Sequence, residues 1–184
     1  GWFGEERIAQ EMVLGIGGVR ALRELKIPVD VYHFTEGHAL FAGFELVREK
    51  VKDGKPFDQS LAATRKEIVF TTHTPEEAGN VKHDIHLCHK MSYFCGLTVD
   101  QVKQLTGNND DMFNHSLVAL RFARLANGVS QLHGVVSREM WKKHTGICPI
   151  ISITNSQNWR YWSDKQMYKF MEEGNDWAFD DRKK

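Results

Sequence analysis

Apolar positions along this chain recur with two alternating periods, and that alternation predicts an α/β fold. From residue 5 to about 26, Ile8, Met12, Val13, Ile16, Val19, Leu22 and Leu25 return at roughly helical spacing. Gly15, Gly17 and Gly18 interrupt this helix and lower its propensity, and Pro28 ends it. Residues 29–34 then read as a strand. Residues 39–52 read as a helix stopped by Asp53, Gly54 and Pro56, and 57–65 as a further short helix. Residues 67–72 read as a second strand, with Pro75 just beyond it.

The stretch 76–94 is polar and matches neither period. Residues 98–105 predict a short helix, because Thr98 can cap it with Gln101 three residues on. Residues 112–125 predict a strong helix, 128–132 a third strand, 135–143 a helix and 147–153 a fourth strand. Residues 163–171 and 177–184 predict helices. Strands alternating with helices favour a mostly parallel sheet with flanking helices and right-handed crossovers.

In such a sheet, ligands bind at the carboxyl ends of the strands. The first two strands each stop in a polar cluster that contains a histidine. The first runs Val31-Tyr32-His33-Phe34-Thr35-Glu36-Gly37-His38, and the second Ile68-Val69-Phe70-Thr71-Thr72-His73-Thr74-Pro75. A carboxylate accepts hydrogen bonds from sugar-type hydroxyls, and an imidazole donates or accepts near neutral pH. The alternative is that Thr35 caps a helix and His73 satisfies a turn, and spacing alone leaves both readings open. Asn127, Gly128, His133 and Gly134 flank the third predicted strand, and Asn155, Ser156, Gln157 and Asn158 follow the fourth. Four strands ending in hydrogen-bonding groups favour a polar, neutral ligand. Trp159, Tyr161 and Trp162 fit core packing under the last helix better than sugar stacking.

Charge narrows the partners. The 24 Lys and Arg equal the 24 Asp and Glu, which argues against a nucleic-acid or acidic-membrane binder. No apolar run approaches the roughly 18 residues of a membrane span, and the N-terminus lacks the pattern of a signal peptide. Cys88, Cys95 and Cys148 form no CxxC and cannot all pair, so a reduced, cytoplasmic setting is the simpler reading. The chain lacks an initiator Met and stops inside a charged, helix-like run, which predicts a piece of something larger.

Two motifs yield to plainer readings. Gly15-Ile16-Gly17-Gly18 follows a helix, whereas a dinucleotide fingerprint needs a strand before it. Its glycines instead predict close packing of the helix on a neighbour. His83, His86, His89 and Cys88 look like a metal cluster, but no second ligand group of matching spacing appears elsewhere. The expectation is a polar surface segment, and no metal ligand is assigned.

Several stretches, in order, resemble the α-glucan phosphorylases, the glycogen, starch and maltodextrin phosphorylase family, and the bacterial branch most closely. They are Ile8-Ala9-Gln10-Glu11-Met12-Val13-Leu14-Gly15-Ile16-Gly17-Gly18-Val19-Arg20-Ala21-Leu22, Glu36-Gly37-His38-Ala39, Thr71-Thr72-His73-Thr74-Pro75, Asn127-Gly128-Val129-Ser130-Gln131-Leu132-His133-Gly134 and Ser137-Arg138-Glu139-Met140-Trp141. The resemblance covers nearly the whole chain, and the ordered run is specific where any single motif would be weak.

The resemblance implies two Rossmann-like domains facing each other across a cleft, a GT-B-type glycosyltransferase. All 184 residues would form one partial domain, the later part of the N-terminal one. The family cleaves the terminal α-1,4 bond of a glucan such as glycogen or a maltooligosaccharide with inorganic phosphate, releasing glucose 1-phosphate. Its pyridoxal 5'-phosphate sits on a lysine of the C-terminal domain. By the same resemblance His73 is the catalytic-site histidine that contacts the reacting glucose and helps orient it. Glu36, His38 and Thr74 are substrate-side positions. Thr35 stands where the family usually has Asn, and Ser156 where Gly is usual, which changes a turn that Gly enters more cheaply.

The cofactor lysine, the glycine-rich phosphate loop and the basic phosphate-gripping residues are not identifiable in this chain. The isolated chain is therefore expected to bind no pyridoxal phosphate and to lack phosphorylase activity. Two other readings remain. One is a stand-alone glucan-binding module. The other is a piece of a nucleotide-sugar-dependent glycosyltransferase of the same architecture. A parallel sheet missing strands would leave an open edge and invite self-association.

Overall fold

A computed structural model describes residues 4–107 and 111–174. The predicted helix 177–184 lies outside the described residues. By contact the chain divides into two compact units, Gly1–Thr154 and Asn155–Lys184.

The first unit is an α/β structure on a four-stranded, wholly parallel sheet. Its strands are β1 (Tyr32–Thr35), β2 (Ile68–Thr72), β5 (Leu125–Gly128) and β6 (Ile150–Ser152), in the order β1-β2-β5-β6. β1 alternates buried and exposed positions, with Tyr32 and Phe34 turned into the core. β2 lies between two neighbours and is more continuously buried, as the inner strand of a parallel sheet requires.

The opening helix runs as α1 (Glu5–Met12), a wider π-helical turn at Val13–Gly17, and α2 (Gly18–Glu24). The glycine run thus widens the helix rather than breaking it. A Cβ at Gly15 would lie 2.7 Å from the Ala42 backbone nitrogen and 2.8 Å from Phe41 Cβ. Close packing on helix α3 (Phe41–Lys52) is therefore what this glycine permits. The helix stops at Lys26, which has a positive φ of 55° and stands two residues before Pro28.

Helices α4 (Phe57–Glu67) and α6 (Val99–Thr106) fall close to their expected places. Thr98 and Gln101 form a reciprocal capping box on α6. Two assignments shift. The helix expected over 112–125 opens with β4 (Met112–Asn114), and α7 proper is His115–Phe122, capped by the Asn114 side chain. The strand expected at 128–132 is β5, three residues earlier, because Ser130 caps α8 (Gln131–Trp141) and commits the following residues to helix. Asn127 therefore lies within the strand, facing Thr71 of β2.

The unassigned stretch 76–94 holds β3 (Lys82–Asp84) and α5 (Ile85–Lys90). β3 pairs antiparallel with β4, a ribbon separate from the main sheet. Over it lies an aromatic cluster of Phe41, Phe44, Tyr93, Phe94 and Phe113, with ring centroids mostly 5–6 Å apart. The second unit contains α9 (Trp159–Trp162) and α10 (Lys165–Glu172). Tyr161 and Trp162 are 75% and 69% exposed, so these two rings are not core packing.

Candidate functional site

The parallel pairing of β1 with β2 places Thr35 beside Thr71 and brings the two polar strand ends together. Glu36 follows β1 directly and has φ 57° and ψ −174°. A non-glycine residue in that region is strained, and such strain collects at functional sites. The conformation turns the Glu36 carboxylate across to β2. There Oε1 accepts the backbone N–H of His73, and His73 Nδ1 lies 3.4 Å from the same oxygen. Among the described residues, Glu36 Oε2 has no protein partner.

Gly37 and His38 form the short 3-10 turn after Glu36. A Cβ at Gly37 would lie 2.5 Å from His115 Cβ, so only glycine lets this turn sit against α7. Glu36, Gly37, His38 and Thr74, with Gly79, Val81, His115 and Ser116, line one cavity of about 100 Å³. A larger cavity of about 620 Å³, lined by Arg7 and residues 77–82, shares Gly79 and Val81 with it.

The structure thus brings Glu36, His38 and Thr74 to one cavity. His73 stands at its margin, tied to Glu36, with a side chain 41% exposed. His38 is held from behind. Arg7 Nη2 lies 2.8 Å from His38 Nδ1, and Arg7 Nε donates to Glu11 Oε1 at 2.9 Å. On the sheet itself, His33 Nε2 lies 2.7 Å from Thr71 Oγ1, which donates to Asn127 Oδ1 at 2.7 Å. This polar chain crosses β1, β2 and β5 and braces the strand ends.

Arg7, Glu11 and His115 were not singled out by sequence reasoning. They come from α1 and the start of α7, far apart in the chain, and only the ribbon β3–β4 and the Gly37 turn bring them together. His83 belongs with Glu11 rather than with His86, His89 and Cys88. It is the central, inward position of β3 and is 5% exposed, while His86 and His89 on α5 face solvent. The polar surface reading therefore fails for His83 because strand alternation turns it inward. His83 Nε2 lies 3.2 Å from Glu11 Oε2. Burial works against ionisation of Glu11, yet the His83 hydrogen bond and neighbouring charges hold its carboxyl below the usual carboxylate range. Burial pushes the imidazole of His115 down to about 3, so it is neutral.

Chemically, the strand-end cluster offers a carboxylate acceptor, two half-exposed imidazoles and a hydroxyl around a small polar opening. That set suits a neutral polyhydroxyl ligand. The lining residues include neither a lysine for a Schiff base nor an arginine for a phosphate. The lining of this cavity therefore offers pyridoxal phosphate no lysine anchor.

No described helix is long and apolar enough to cross a membrane. No family profile matches the chain. It is 36% identical over 175 residues to the maltodextrin phosphorylase of Thermococcus litoralis, covering 91% of this chain and 21% of that protein. It is 39% identical over 184 residues to the glycogen phosphorylase of Mycobacterium tuberculosis, covering 88% of this chain and 21% of that protein. The glycogen phosphorylase of Aquifex aeolicus is 30% identical, covering 91% of this chain and 25% of its own length. The chain therefore spans about a fifth to a quarter of the length of these curated relatives. Over that span it is a homologue of the glycogen and maltodextrin phosphorylases, corresponding to one segment of that family's larger proteins.

Proposed function

We propose that this chain is the sugar-orienting part of an α-1,4-glucan phosphorylase, from the later part of its N-terminal domain. The parent enzyme would be cytoplasmic and would use inorganic phosphate to release glucose 1-phosphate from the end of glycogen or a maltooligosaccharide. The observation that carries this reading is the pairing of strained Glu36 with His73 across the ends of β1 and β2. Homology to phosphorylases over nearly the whole chain supports it.

Each residue then has a task. Glu36 uses Oε1 to hold the β2 end in place and offers Oε2 to a sugar hydroxyl. His73, oriented through its own backbone, contacts the glucose at the bond to be cleaved and keeps the ring in a reactive pose. Fixing that pose removes orientational freedom before reaction, which lowers the barrier. A carboxylate close by also favours positive charge building at the anomeric carbon. His38 and Thr74 line the cavity beneath and complete the hydrogen-bonding set. We assign none of these as the proton donor.

In the parent enzyme a bound pyridoxal 5'-phosphate would supply proton-transfer chemistry through its phosphate. We place that group on a part of the parent protein outside this chain. The isolated chain is expected to show no shifted absorbance band after incubation with pyridoxal phosphate, and such a band would count against this placement.

The test is phosphorolysis of maltoheptaose by the native polypeptide that carries this sequence. Release of glucose 1-phosphate, reduced about 100-fold or more in kcat/KM by His73→Ala, is expected from loss of an orienting contact. Activity with a nucleotide sugar in place of phosphate and glucan would overturn the proposal. So would an undiminished His73→Ala variant.

A further inference from the structure

We propose that Glu11, His83 and His115 form a site for one divalent transition-metal ion of the zinc type, placed behind the sugar-facing turn. It would tie α1 to the β3–β4 ribbon and to the start of α7. The proposal does not depend on the phosphorolytic reading.

The ligands come from three separate elements, and all are buried at 5% exposure or less. One donor atom from each lies within 4.8 Å of the others. Glu11 Oε2 is the common point, 3.2 Å from His83 Nε2 and 3.9 Å from His115 Nδ1. Around a tetrahedral zinc with bonds of roughly 2.0–2.2 Å, neighbouring ligand atoms sit about 3.3 Å apart. The Glu11–His83 edge already has about that length, the Glu11–His115 edge is 3.9 Å, and the third edge, within 4.8 Å, would shorten by up to about 1.5 Å. Two imidazole nitrogens and one carboxylate oxygen are a donor set that suits zinc better than calcium or magnesium.

A hydrogen-bonded cluster alone explains this arrangement poorly. His115 is 1% exposed. Its Nδ1 lies 3.4 Å from the Gly37 carbonyl, and its Nε2 lies 3.3 Å from the Tyr93 hydroxyl. Both contacts are longer than ordinary hydrogen bonds, so a buried polar ring is left without a short partner. A metal at Nδ1 would supply that partner. Nε2–H would then donate to the Tyr93 oxygen, the outer support that metal-bound histidines usually have. His83, which now donates from Nε2 to Glu11, would carry its proton on Nδ1 instead. No oxidant or reductant is involved.

Arg7 occupies the other carboxylate oxygen, Oε1, and leaves Oε2 to the ion. Its charge weakens cation binding, and its side chain is 28% exposed, so solvent softens that effect. His115 also lines the cavity that His38 and Thr74 share. A water in that cavity would be the candidate for the fourth position.

The experiment uses the 184-residue chain, stripped with a chelator and then titrated with cobalt(II) and zinc(II). Expected are one equivalent bound, a cobalt visible spectrum of low-coordinate type, and a rise in Tm of about 4 °C or more with excess zinc. His83→Gln and His115→Gln should each weaken binding about 10-fold or more, while exchanging both surface histidines, His86→Gln with His89→Gln, leaves it unchanged. Circular dichroism checks folding. Should His115→Gln fail to fold, the isosteric Glu11→Gln variant carries the same expectation. Absence of stoichiometric binding, binding that survives in the ligand variants, or binding lost with the surface pair would each overturn the proposal.

Discussion

Two buried or half-buried glutamates show how differently this chain treats its scaffold and its strand ends. Glu45, on α3, is fully buried and fully engaged. Arg20 from α2 and Arg48 one turn on along α3 both hold it in bidentate fashion. Burial alone would raise its carboxyl, but those guanidiniums bring it down to about 2. Glu36 holds a strained backbone, leaves one oxygen open and faces a cavity. The first glutamate has spent its hydrogen-bonding capacity on locking α2 to α3. The second keeps some in reserve for a ligand. The difference separates residues that make the fold from residues that use it.

The largest expected effect is on the scaffold side. Glu45→Ala removes the buried carboxylate that joins Arg20 to Arg48, whose side chains are 61% and 32% exposed, and should cost about 3 kcal/mol of unfolding free energy, read from urea denaturation. Its pH dependence sharpens the point. The folded pKa of about 2 lies below the ordinary 4.5, so the stabilisation is complete above pH 4.5. It is lost as pH falls from there through 2, as the unfolded state takes up a proton that the folded state does not. Wild type should show this extra acid sensitivity, and Glu45→Gln should lack it.

Gly15→Val comes next. The added atoms meet the Ala42 backbone and Phe41 Cβ, so the seam between the opening helix and α3 must part. A loss of about 2–3 kcal/mol is expected in the same assay. The smallest effect on stability belongs to the strand ends. Glu36→Gly relieves the positive φ while giving up the hydrogen bond to His73. Stability should change by less than about 1 kcal/mol. Maltooligosaccharide affinity should fall about 10-fold. If Glu36→Gly instead unfolded the protein, the distinction between the two glutamates would collapse.

Much of the scaffold was legible because its signals are local. The periodic apolar residues of α3 and α4, the Thr98 capping box and the strand at Ile68–Thr72 all announce themselves within a few residues. The close-packing reading of the glycine run also holds, with Gly15 against Ala42. The ribbon was harder. β3 and β4 are three residues each and pair with one another across nearly 30 positions of chain, so neither shows a period. β5 was displaced because Leu125-Ala126-Asn127-Gly128 carries little apolar alternation, and only the cap at Ser130 shows where the helix begins.

The candidate site divides in the same way. Glu36, His38, His73 and Thr74 could be named as candidates because each lies within three residues of the end of a readable strand. The support behind them could not. Arg7 and Glu11 sit on a helix whose apolar pattern says which face is inward, not what lies against it. His115 follows a three-residue strand that has no sequence signal of its own. Pairings of that kind are set by topology, and they appear only when α1, the ribbon and α7 are assembled.

The most direct test of the central claim is a maltooligosaccharide titration of the 184-residue chain, followed residue by residue through its backbone amide NMR signals. The account predicts shifts concentrated at Glu36, Gly37, His38, His73 and Thr74, with Glu45 and its arginine neighbours unmoved. Shifts confined to the exposed rings Tyr161 and Trp162, or none at the strand ends, would contradict it.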